Sequence, residues 1–200
     1  MISVVKQARA LRTHDRVLDA AAYEFARYGY MNANLQRIAD RIGLTKGALY
    51  GHFSSKEKLA AALREHLSLN VRALLDEART SPEPATSRLE SLVLGLGKLF
   101  DTDPRAQAAL RLEVEAARAA DTVAPLLSDT HGIALELVAE VQRGRHWDEV
   151  PPADALADLI VAAFCTALWT GACAGPDRPG PGIAAMWGVL MRVIGTRACG

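Results

Sequence analysis

Residues 38–53 read IADRIGLTKGALYGHF, and the fold turns on how this stretch divides. Apolar Ile38, Ala39 and Ile42 recur at helical spacing and stop at Gly43. Leu44 follows, and Thr45 is a fitting N-cap for a second short helix, Lys46 to His52. Asn34 caps the first, predicted over Leu35 to Ile42. Two short helices separated by Gly43-Leu44-Thr45 have the spacing of a helix-turn-helix. Ile38, Ala39, Ile42, Leu44, Leu49 and Phe53 are expected to pack together and against Phe25 of the preceding helix. That leaves Lys46, Gly47, Tyr50 and His52 on or near the free face.

Working outward, strand signals are scarce and apolar residues recur at helical spacing almost everywhere. A first helix is predicted from Arg12 to Tyr28, with Val17, Ala20, Ala21, Phe25 and Tyr28 on its buried face and Gly29 closing it. Ser54 with Glu57 three residues on reads as a capping box for a long fourth helix toward Arg79. Thr80-Ser81-Pro82-Glu83-Pro84 is a turn. Further helices are expected at Ala85–Phe100, Pro104–Ala119, Ala124–Arg143, Ala153–Cys173 and Gly182–Arg197, with the stretch GPDRPGPG as a loop before the last. The expected fold class is all-α, with about nine helices: residues 1–58 form a helix-turn-helix domain and residues 59–200 a second helical domain.

Composition narrows the function classes. Half of the 200 residues are apolar and 23% are charged, which excludes a disordered chain. The longest uncharged stretch, Leu159 to Pro176, falls short of the roughly 20 apolar residues a membrane span needs. Residues 1–12 carry Lys6, Arg9 and Arg12 and no apolar core, which speaks against a signal peptide. Cys165, Cys173 and Cys199 form no C-x-x-C pair, so no zinc site or disulfide framework is indicated and a reducing cytoplasm fits. His131, and His146 with Trp147, read as surface or satisfied residues; no metal and no cofactor is implied.

The formal net charge is zero, yet residues 1–66 carry 11 Lys+Arg against six Asp+Glu, and the remainder carries 12 against 17. A basic end on an acidic body points to a polyanionic partner. The short helix from Lys46 suits the major groove, about 12 Å wide. Thr45 can meet phosphate, Lys46 can reach a phosphate or a guanine edge, Gly47 permits close backbone approach, and Tyr50 and His52 can donate to phosphate oxygens. Taken alone, the pattern also fits two packed short helices with a solvated polar face.

A resemblance separates the two. Val17 to Leu59 resembles the DNA-binding domain of TetR-family transcriptional regulators. The matching residues are Leu18 to Ala21, Phe25 to Tyr30, Ile38 to Gly43, Thr45 to Tyr50, His52-Phe53 and Ser55 to Leu59. Gly51 departs from it, standing where the family usually has a bulky aromatic residue. The resemblance implies a double-stranded DNA operator as partner, contacted by Thr45, Lys46, Gly47, Tyr50 and His52. It also implies a second domain holding a small-molecule effector and forming a homodimer.

The rest of the chain permits that independently. Ile183, Met186, Trp187, Leu190 and Ile194 make one helical stripe, and Cys165, Trp169 and Cys173 another. Paired copies of two such helices form a four-helix bundle, whereas a monomer would bury the same residues in its own core. Ala109-Leu110-Arg111-Leu112 and Met186-Trp187 are similar to the γ-butyrolactone receptor branch, whose members repress genes until a lactone-type signal releases them. That branch's pocket tryptophan is absent from Pro125 to His131. Apolarity and helix position nominate Leu110, Val114, Phe164, Thr166 and Trp169 as ligand contacts, each also readable as plain core. The reading is a ligand-responsive, homodimeric repressor released by a γ-butyrolactone-like or antibiotic-like molecule. A protein partner in place of the small molecule stays open. An enzyme is disfavoured, because no nucleophile–base pattern, paired acids or phosphate-cradling loop is present.

Overall fold

Between Ile2 and Tyr28 the chain has neither glycine nor proline to stop a helix. In the computed structural model, α1 accordingly spans Ile2–Asn32, starting ten residues before the expected Arg12. The structure describes residues 2–144, 151–173 and 187–188. The helices that follow are α2 (Leu35–Arg41), α3 (Lys46–His52), α4 (Lys56–Thr80), α5 (Ala85–Thr102), α6 (Pro104–Ala119), α7 (Pro125–Arg143) and α8 (Ala153–Cys173). The described residues contain no strand, so the fold is all-α. The ninth helix expected over Gly182–Arg197 lies outside the described residues, except that Trp187 and Gly188 are helical. The GPDRPGPG loop, Ile183, Met186, Leu190, Ile194, His146 and Trp147 also lie outside them.

Packing divides the chain into two compact units. The first comprises Met1–Leu67 with Asp103–Thr122, so α6 belongs with α1, α2 and α3. Its interior holds Val17, Ala21, Phe25, Ile38, Leu49, Leu59, Leu63 and Leu112, none of them accessible to solvent. Each such large side chain contributes about 1.5–3 kcal/mol through burial. Arg105 of α6 bonds Asp19 at 2.7 Å and reaches Asp15 at 3.6 Å on α1.

A second group of helix contacts in this unit lies where α1 kinks. Gly29 adopts φ 72°, ψ 175°, a conformation essentially confined to glycine. The kink frees the Tyr30 N–H, which donates to Glu115 Oε2 at 2.8 Å, while Arg111 bonds both Glu115 and the Ala26 carbonyl. Lys56 Nζ donates to the carbonyls of Tyr30, Met31 and Ala33, covering the end of α1. Tyr28, expected on the buried face, is exposed instead, with the Arg37 guanidinium 4.3 Å above its ring.

The second unit comprises Ser68–Thr102 and Val123–Gly200. Leu92, Val93, Leu96 and Phe100 of α5, Ile133, Ala134, Leu137 and Val138 of α7, and Leu156, Ala157 and Ile160 of α8 form its described core. A Cβ on Gly95 would stand 2.8 Å from a Leu74 methyl, so glycine lets α5 and α4 approach closely here. Arg88 ties α5 to Glu140 of α7 at 2.6 Å, and His131 pairs with Asp158 at 3.1 Å, as befits a satisfied surface histidine. No helix among the described residues is long and apolar enough to cross a membrane.

Candidate nucleic-acid interface

Capping chemistry sets the two short helices. Asn34 is extended, and its side chain accepts from Gln36 N at 2.8 Å, opening α2. At the other end the Leu44 N–H reaches the Ala39 carbonyl and the Gly43 N–H the Asp40 carbonyl. With Gly43 at φ 70°, this is a Schellman closure, which turns the chain out of α2 and straight into α3. Thr45 then caps α3, its Oγ1 accepting from Ala48 N at 3.1 Å. The boundaries of α3 are those expected, and α2 ends one residue early, at Arg41.

Glu24 holds this pair of helices on α1. The carboxylate is buried, accepts from Asn34 N at 2.9 Å and Arg37 Nε at 2.7 Å, and forms an ion pair with Arg37. Arg37 also donates to the Asn32 carbonyl, so one guanidinium fixes α2 against the kinked end of α1. Sequence reading missed Glu24 and Arg37. Their 13-residue separation carries no helical signal, and Glu24 among apolar Ala20, Ala21, Ala22 and Phe25 was the one hint.

Beneath α3, Leu49 is fully buried and Phe53 is 8% exposed, its ring 4.6 Å from that of His14. Ile38 and Ala39 are buried as expected, whereas Ile42 and Leu44 are only half-buried, because the turn carries them to the surface. Thr45, Lys46, Gly47 and Tyr50 are exposed, Tyr50 by 44%, and His52 is half-buried. A Cβ at Gly51 would meet nothing within 4 Å and one at Gly47 only Thr45 Oγ1 at 4.0 Å. Nothing within the described residues therefore demands glycine at either position, although each costs about 1 kcal/mol relative to alanine in a helix.

The cap of α4 is Ser55, whose Oγ accepts from Lys58 N, in place of the expected Ser54. Glu57 accepts from Tyr30 Oη at 2.8 Å. Hydrogen bonds from Ser55, its own N–H and Tyr30 hold its carboxyl down at about 2. The five nominated ligand contacts do not share one unit. Leu110 is buried and Val114 half-buried on α6 of the first unit; Phe164, Thr166 and Trp169 stand on α8 of the second, with side chains outside the described residues. Among the described residues, no three His, Cys, Asp or Glu side chains gather to hold a metal ion.

Residues 17–63 match the family model of bacterial regulatory proteins, tetR family. The transcriptional activator FasR of Mycolicibacterium smegmatis is 32% identical over 155 residues, covering 66% of this chain and 70% of FasR. The chain belongs to the tetR family. This tetR-family chain is also 40% identical over 116 residues to the A-factor receptor protein of Streptomyces griseus, and the match spans 56% of the chain but only 38% of that receptor. Among solved structures, a gamma-butyrolactone receptor (ArpA-like protein) superposes with a TM-score of 0.69 at 31% identity, covering 96% of this chain and 93% of that one. These likenesses place the regulator with the receptor branch of the family. Its curated relatives include proteins named as transcriptional regulators, activators and repressors.

Proposed function

We propose that the chain is a homodimeric repressor that binds a palindromic operator and is released by a small apolar signal of γ-butyrolactone-like or antibiotic-like chemistry. Residues 1–58 would carry DNA binding, and residues 59–200 effector binding and dimerisation. The observation that carries this reading is the exposure of Thr45, Lys46, Gly47 and Tyr50 on a helix anchored from below by Leu49 and Phe53. With half-buried His52 at its end, that face offers a cation, hydroxyls and an imidazole to phosphates and base edges. In a dimer, two such helices meet successive major grooves roughly 34–36 Å apart. Leu110, Val114, Phe164, Thr166 and Trp169 are proposed individually as effector contacts. The names of the A-factor and γ-butyrolactone receptors support the effector class, and a bacterial cytoplasm is where operator DNA is met.

The test is binding of wild type, Lys46→Ala and Tyr50→Ala to a duplex that the wild-type chain selects from a random-sequence library. Each variant is expected to lose about 1–3 kcal/mol if its side chain reads a base, and Lys46→Ala to lower the salt slope by about one if it holds a phosphate. Unchanged affinity and slope in both variants would remove α3 from the interface.

A further inference from the structure

α1 begins 15 residues before the tetR-family match at residue 17, and its first turns have a one-sided charge. Residues 2–14 contain Lys6, Arg9 and Arg12 and no acid. Arg9, Arg12 and Arg16 fall at i, i+3 and i+7, one face of the helix, over about 10 Å of axis. Arg9 and Arg12 are exposed. The nearest carboxylates along α1, Asp15 and Asp19, both face Arg105 of α6, which offsets part of their charge. No acidic residue stands in the first turn, where the helix dipole would favour one.

The position of this face relative to α3 is set by two contacts. Arg16 donates to the Ile42 carbonyl at 2.9 Å, three residues before the Thr45 cap. The His14 ring lies against Phe53, the residue that closes α3. Residues 14–16 of α1 thus touch both flanks of α3, and Arg12 and Arg9 follow along the same face, one and two turns beyond Arg16.

We propose that the first turns of α1 form a second arm of the DNA interface, in which Arg9 and Arg12 hold backbone phosphates beside the major groove entered by α3. The inference rests on the proposed role of α3 and adds residues that role does not need. Phosphate contacts of this kind fix register and supply salt-dependent affinity without reading sequence.

The experiment measures affinity against salt, from 50 to 200 mM, for the full chain on the library-selected duplex described above. Arg9→Ala/Arg12→Ala is expected to lower the slope of log K against log salt by about 1.8 per bound protomer, at about 0.9 for each phosphate. Across that range wild type then loses about 12-fold more affinity than the variant for each bound protomer. Arg9→Lys/Arg12→Lys should keep the slope, circular dichroism should show undiminished helix, and Arg143→Ala, an exposed charge in the second unit, should change nothing. An unchanged slope in the double alanine variant, while Lys46→Ala and Tyr50→Ala weaken binding, overturns the arm and leaves α3 in place. If all these variants bind like wild type, the reading of α3 falls and the arm falls with it.

Discussion

Replacing Gly29 by alanine tests the joint between α1 and α6, and its two costs can be separated. The backbone at φ 72°, ψ 175° must be kept by a residue with a Cβ, a strain of order 1–3 kcal/mol. The new Cβ would also stand 2.6 Å from Glu115 Oε1 and 3.1 Å from Glu115 Oε2 and Arg111 Nη2. The carboxylate must then leave the part-buried Tyr30 N–H it accepts from, and losing a bond to a charged group costs about 1.5–3 kcal/mol. Together Gly29→Ala should lose about 2.5–6 kcal/mol, a large share of the ~5–15 kcal/mol that stabilises a domain. Glu115→Ala alone should lose the second part together with the weak, partly exposed pairing to Arg111. In Gly29→Ala/Glu115→Ala the clash is absent but the strain persists, so the double variant should be scarcely worse than Gly29→Ala, a coupling of about 1.5–3 kcal/mol. Native-state hydrogen exchange of α1 and α6 amides is the assay, because it reports the first unit by itself. Loss below about 1 kcal/mol in Gly29→Ala would refute the strain, and strictly additive variants would refute displacement of the carboxylate.

Glu24→Ala removes the buried partner of Arg37 and the acceptor of Asn34 N. Thermal unfolding should show a loss of about 2–3 kcal/mol, less than the ~3–5 of a pair buried on both sides, because Arg37 is 45% exposed. Acid should weaken the first unit through Glu57 and Asp103. Burial pushes the Asp103 carboxyl up, but the bond from His66 and those from the Ala106 and Arg105 N–H groups outweigh it and hold it below its usual value. Both carboxyls are depressed on folding, so their contribution is complete above their ordinary values of 4.5 and 3.8 and is lost as pH falls below these, toward about 2 in the case of Glu57. In an acid titration followed by circular dichroism, Glu57→Gln and Asp103→Asn should flatten that decline; an unaltered profile would remove these carboxyls from acid stability.

Much of this architecture was legible because its signals are local. Thr45 and the Gly43 closure mark α3 to the residue, and Asp103-Pro104 marks the start of α6, where the aspartate caps and the proline takes the first position. Local signals also misled where two neighbours satisfied the same rule. Ser54 has the right distance to Glu57 for a capping box, yet Ser55 caps, and Glu57 turns to Tyr30. Periodicity placed Tyr28 beside Phe25, but the Gly29 kink and Arg37 give its ring an outward stacking partner. Glu24 with Arg37, and Arg105 with Asp19 across 86 residues, exist only once the helices pack, and no spacing rule could supply them.

The position of α6 bears on how an effector could be felt at α3. A functional boundary at residue 58 assigns α6 to the effector-binding part, whereas its packing is with α1. Three side chains make that attachment specific: Arg105 to Asp15 and Asp19, and Arg111 with Glu115 to the carbonyl of Ala26 and the freed N–H of Tyr30. The bonds lie on either side of Phe25, so a shift of α6 must either break them or carry α1 with it. α1 in turn holds α2 through Glu24 and touches both flanks of α3 through Arg16 and His14. If a ligand that binds one position of α6 better than another acts on this regulator, its differential affinity is spent on α1 as a rigid lever. Breaking the Arg111 contacts should therefore lower the coupling between effector and operator while leaving each separate affinity nearly intact. Loss of effector binding in such variants, with coupling preserved in the residue that binds, would contradict the lever.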